Sequence, residues 1–192
     1  MKRILLSVAL VSLLAGCAST PTHTANVCAV LEQKDGFFFN WRRSAKKAER
    51  KYGIPMPVIL ATIYIESGFR QRARPPRKKL LGLIPWKRPS SAYGYPQAVK
   101  GTWDEYRRQT GHKTARRTSF NDAAQFIAWY HHESVRQNGV SPDDAYNLYL
   151  NYHMGHRAYA RGQSNAVAIQ GAWRMQSMAK KYDVQLRNCG RR

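Results

Sequence analysis

Acidic residues are scarce in this chain, 11 Asp and Glu against 32 Lys and Arg, so each can be weighed for chemistry. Between residues 50 and 103 there is one, Glu66. It closes the apolar run Val58-Ile59-Leu60-Ala61-Thr62-Ile63-Tyr64-Ile65, which reads as a helix buried nearly all round. A carboxyl at the C-terminal end of such a helix is disfavoured in its charged form by burial and by the negative end of the helix dipole. Both effects raise its pKa, the condition for a general acid working near neutral pH. The same residues also allow a plainer reading, a Glu paired with one of the many arginines. Two further polar and aromatic pieces stand downstream, Ser91-Ala92-Tyr93-Gly94-Tyr95-Pro96-Gln97 and Leu150-Asn151-Tyr152-His153-Met154-Gly155. No Cys-x-x-Cys spacing or His-rich cluster points to a metal, and no cofactor is expected.

Helices must carry these groups. Apolar spacing predicts them over Trp41 to Tyr52, Pro57 to Glu66, Gln97 to Gln109, Asp122 to Asn138, Asp143 to Tyr152 and about Asn165 to Leu186. Strand signals are few, so the fold class is all-α, and the length fits one domain with one core. Ser141-Pro142-Asp143-Asp144 reads as an N-cap with Pro at the first helical position, and Gly139 as the end of the preceding helix. Met175, Met178, Tyr182 and Leu186 recur every three or four residues and read as core. Residues 70 to 92, with Pro75, Pro76, Pro85 and Pro89 among many Arg and Lys, read as a loop insertion. Trp86, Trp103 and Trp129 are aromatics able to stack on sugars or bases.

The first 16 residues have the layout of a secretory signal: Lys2 and Arg3, the apolar run Ile4 to Leu14, then small residues. Leu13-Leu14-Ala15-Gly16-Cys17 resembles a bacterial lipobox, which makes Cys17 the expected lipidated first residue of the mature protein. The alternative is an ordinary signal that happens to contain Cys. Residues 17–26 then form the lipidated Cys and a tether, and 27–192 the domain. Ala18 after the Cys favours the outer membrane of a two-membrane cell, by the rule for such lipoproteins. The formal net charge of +21 selects polyanionic partners. Export narrows them to anionic lipid and a carboxylate-rich cell wall, and no nucleic-acid motif is present. The basic stretch from Arg70 to Arg88 is placed to hold acidic peptide stems or an anionic membrane, or is a solvated loop. Cys28 and Cys189 form a disulfide in an oxidising compartment, or remain as two buried thiols.

The pieces Ile65-Glu66-Ser67-Gly68-Phe69, Ser91 to Gln97 and Leu150 to Gly155 resemble, in order and spacing, the motifs of the lytic transglycosylase SLT domain. The likeness runs from about Tyr52 to Gly162, and the text around Arg74-Pro75-Pro76-Arg77 and Ile84 to Tyr95 looks like a branch of SLT lipoproteins. It implies a lysozyme-like fold and peptidoglycan glycan strands as substrate. By the resemblance, Glu66 is the catalytic acid and base and Ser67 the hydroxyl that steadies it. Tyr93, Gln97 and His153 fall to substrate binding, and Tyr152 to the phenol near the carboxylate. The alternatives are a helix-start contact for Gln97, a core Tyr for Tyr152 and a solvent-facing His153. Two departures stand out: Pro96 replaces an apolar or small residue, and His153-Met154 replaces Asn-Ala. Pro96 is tolerable if Gln97 opens a helix. The product implied is a 1,6-anhydromuramyl end. A muramidase of the same fold would need a second acid, from Asp104, Glu105 or Glu133. A wall-binding lipoprotein without turnover is the rival of another class.

Overall fold

The computed structural model describes residues 21–35, 39–77, 79–80, 84–86 and 88–189, so the leader and Cys17 lie outside the described residues. In chain order the elements are α1 (Val27–Leu31), β1 (Lys34–Asp35), β2 (Phe39–Asn40), α2 (Trp41–Tyr52), α3 (Met56–Ser67), β3 (Lys79–Leu80) and β4 (Ile84–Pro85). Then follow α4 (Lys100–Thr110), α5 (Phe120–Asn138), α6 (Ala145–Met154), α7 (His156–Ala160) and α8 (Ala166–Cys189). The strands pair only locally and antiparallel, Lys34 opposite Asn40 and Lys79 opposite Pro85. The fold is all-α, as the spacing predicts. No described helix is long and apolar enough to cross a membrane.

Side chains set the helix ends. Asn40, Ser119 and Asp144 accept the free N–H groups of Arg43, Asp122 and Asn147. Helix α3 has no cap of its own, and Glu49 of α2 supplies one, accepting the Met56 N–H at 2.8 Å. Because α3 is apolar on every side, it can only be central. It packs against α2, α5 and α8. Its Ile59, Leu60 and Ile63 are fully buried, each contributing about 2 kcal/mol on transfer from water. Beside it Trp41 stacks on Phe120 with centroids 4.0 Å apart, and on Phe69 at 5.8 Å.

Four expectations change. The fourth helix opens at Lys100, after Val99, so neither Pro96 nor Gln97 is in it; Gln97 has φ 48°, which no helical residue adopts. The sixth opens at Ala145 with Asp144 as its cap, and Ser141 instead donates to the Asp143 carboxylate at 2.5 Å, which leaves Pro142 in a turn. The basic insertion contains the β3–β4 ribbon. Residues 21–26, expected as tether, are docked on α8: Pro21 is buried, Tyr182 donates to the Thr24 carbonyl, and Gln185 donates to the Ala25 carbonyl and accepts from the Val27 N–H at 2.8 Å. Helices α1 and α7 have five residues each, too short to show a period.

The last helix is the seam of the molecule, contacting both α3 and α6. Met175 and Tyr182 are fully buried, and Met178 and Leu186 pack partly buried against the core. Near its end Cys189 is bonded to Cys28 of α1, with Cα atoms 5.8 Å apart, closing 161 residues of sequence separation.

Candidate active site

Glu66 occupies the last turn of α3, and the next residues turn the chain sharply away from it. Gly68 caps the helix at φ 57°, and its N–H donates to the Tyr64 carbonyl. Phe69 is left-handed too, at φ 60°, a costly conformation for a residue with a Cβ. Complete burial of its ring against Trp41 offsets that strain. The turn leaves Glu66 at the floor of a cleft of about 560 Å³, whose walls include Gln97, Ala98, Val99, Tyr130, Tyr152 and His153.

The wall from 90 to 99 is held on two sides. Gly94 donates to the Ala73 carbonyl at 3.0 Å, and Tyr95 to the Arg117 carbonyl at 3.0 Å. Gly94 is left-handed at φ 75°, and a Cβ there would sit 2.0 Å from the Arg117 carbonyl oxygen, so both its conformation and the close approach require glycine. The Arg117 guanidinium donates to the carbonyls of Ser91 and Ala98, each at 2.8 Å. The Gln97 amide donates to the carbonyls of Ala73 and Gly94, and its side chain stays on the cleft wall.

Burial pushes the Glu66 carboxyl up to about 7, and a hydrogen bond with the Tyr149 phenol pulls in the other direction. The Tyr152 hydroxyl is engaged elsewhere: it donates to the Pro96 carbonyl at 2.6 Å and so ties α6 to the cleft wall. Burial, then the nearby Glu66 charge, hold the Tyr152 phenol well above its ordinary value. Sequence reasoning missed Tyr149. In the sequence it is one more apolar position of α6, 5% exposed, and only the packing of both α6 and α3 on α8 brings it to the carboxyl.

The remaining predicted site residues divide. His153 lines the cleft, lies exposed, and stacks on Tyr149 with centroids 5.8 Å apart at 28°. Ser67 is buried and donates its hydroxyl to the Ile63 carbonyl at 3.0 Å, one turn back in α3. Tyr93 is not among the cleft-lining residues; the guanidinium groups of Arg74 and Arg117 lie 4.3 and 5.3 Å from its ring centroid. Trp103 and Trp129 are core, 4% and 7% exposed, and offer no stacking face. Trp86 is exposed.

Glu66 is the one carboxylate among the described residues lining the cleft. Asp104 is paired with Lys100 at 2.5 Å and Arg107 at 3.6 Å. Glu133 is paired with Arg136 at 2.6 Å and takes a bond from Gln137, and Glu105 accepts from Gln109. The arrangement thus supplies one carboxyl in a groove, with no second acid among the described residues that line it. Among the described residues no group of three or more His, Cys, Asp or Glu could hold a metal ion.

The family model described as the transglycosylase SLT domain matches residues 5–189. No curated protein matches the chain.

Proposed function

Because the chain belongs to the transglycosylase SLT-domain family, and is therefore a lytic transglycosylase acting on peptidoglycan, we propose that it cleaves the MurNAc–GlcNAc β-1,4 bond with Glu66 as both acid and base. The observation that carries this is the solitary Glu66 carboxyl at the cleft floor, pushed up to about 7 by burial. Near neutral pH such a group exists in both forms and can give and take a proton within one cycle.

Ordinary glycosidases need two carboxyl groups about the scissile bond, and substrate-assisted ones do not. In this reading Glu66 donates its proton to the glycosidic oxygen as the bond to C1 breaks. The substrate's N-acetyl oxygen closes on C1. The ionised Glu66 then takes the proton of the C6 hydroxyl, O6 displaces the acetamido oxygen from C1, and the 1,6-anhydro ring forms. No water is consumed, and Glu66 ends protonated as it began. Gln97 and His153, on the cleft walls, are the polar groups placed to hold the sugars. Digestion of purified peptidoglycan should release muropeptides one water lighter than hydrolysis products, read by mass. Free reducing ends would overturn this route in favour of attack by water.

The chain is further proposed to act in the cell envelope, on the periplasmic side of the outer membrane, anchored through lipid on Cys17. The Cys28–Cys189 bond supports export, since such bonds persist in oxidising compartments. The mature N-terminal peptide should carry acyl chains on Cys17 by mass spectrometry. A mature protein beginning at any other residue would refute the anchor.

A further inference from the structure

The Tyr149 ring lies directly over a gap in α8. A Cβ built on Gly171 would stand 2.4 Å from Tyr149 Cε1 and 2.8 Å from both Cζ and Oη, its three nearest atoms. Contacts under 3 Å are not tolerated, so any side chain at 171 must displace the hydroxyl end of the ring, the end that meets Glu66. Gly171 is in the interior of a helix, where glycine costs about 1 kcal/mol relative to alanine. Its backbone is not left-handed, so conformation gives no reason for it. The space it leaves does.

We propose that Gly171 is a positioning residue: by presenting no side chain it seats the Tyr149 ring where its hydroxyl reaches Glu66, so that α8 sets the orientation of the reacting carboxyl. This rests on the reading of Glu66 as acid and base. His153, which lines the cleft, stacks on the same ring. His153 is exposed and can give way to a ring pushed off Gly171. Tyr152 cannot substitute, because its hydroxyl is bonded to Pro96. The titratable and charged groups around the pair are Glu66 from α3, Tyr152 and His153 from α6, and Arg174 from α8. Tyr130 and His131 of α5 lie beyond them against Tyr152.

The test compares the unaltered protein with Gly171→Ala, Tyr149→Phe and the double variant, by two readouts. The first is the Glu66 carboxyl titration, followed by carbon NMR and assigned with Glu66→Gln. The second is the pH profile of kcat. The Tyr149 bond favours the ionised carboxyl, so losing it raises the Glu66 titration and carries the alkaline limb of kcat upward with it. Both single variants should show this, with the plateau of kcat lowered about tenfold, the weight of one hydrogen bond to a charged group. The double variant should match either single one, since both break the same contact. A Gly171→Ala protein whose Glu66 titrates unchanged while Tyr149→Phe moves it would overturn the proposal, as would additive shifts. Where Gly171→Ala does not fold, it should fold in a Tyr149→Ala background, and failure to recover there counts against the seat. The NMR titration needs no turnover. A protein that releases no anhydro product but shows these shifts would sink the function and leave the seat standing.

Discussion

Glu66→Gln keeps the fold and lowers muropeptide release by about a thousandfold or more, within the range attributed to a positioned acid–base group. The substitution keeps the shape of the side chain and removes the carboxyl proton from the cleft. A second effect has the opposite sign. The Glu66 carboxyl titrates near 7 in the folded protein and near 4.5 unfolded, so from pH 4.5 to 7 the folded state binds more protons and stability falls as pH rises. Above pH 7 the penalty is complete, at most about 3 kcal/mol. The Gln variant carries no such charge. It should therefore unfold at higher urea than the parent at pH 8 and at about the same urea at pH 4. Activity within tenfold of the parent would remove Glu66 from the mechanism. Equal urea midpoints at pH 8 would show that the carboxyl is solvated rather than buried.

Several elements were legible before any coordinates. Trp41–Tyr52 is bounded in the structure as the spacing bounds it, and Glu66 stands out because it ends an apolar run in a chain with few acids. Both rest on local pattern. What was not legible depends on packing between distant segments. Gln97 looks like a helix start after proline, but its backbone is left-handed and its side-chain amide is bonded to the carbonyls of Ala73 and Gly94. Tyr149 and Gly171 are 22 positions apart, each unremarkable alone, and only the α6–α8 crossing joins them. The Thr, Ala and Ser composition of residues 21–26 says tether, while their carbonyls meet Tyr182 and Gln185 some 160 residues later.

Replacing Cys28 and Cys189 together by Ser lowers stability by about 5 kcal/mol at 25 °C, by the loop-entropy account for a closure of this length. For a chain of this size that is a fall in Tm of about 10 to 20 °C. The effect acts on the unfolded chain, which loses a constraint spanning nearly the whole domain, and not on the site. Cys28 and Cys189 border a surface depression with Asn26, Glu32 and Arg42, and share no lining residue with the cleft. Turnover below the melting transition should therefore be unchanged. A stability loss under about 1 kcal/mol would mean that the packing of α1 on α8 already confines the chain ends in the unfolded ensemble. A loss of turnover at 25 °C with the fold intact would mean that the two ends of α8 are coupled.

For a chain anchored through Cys17, the docking of residues 21–26 on α8 would fix how far the enzyme can reach. With lipid on Cys17, only residues 18–20 separate the membrane from the buried Pro21. Fully extended, the four steps from Cys17 to Pro21 span about 14 Å. An enzyme anchored in this way would be moored, not leashed: its working radius would be set by its own diameter, and the glycan it cut would have to come within one protein's width of the bilayer.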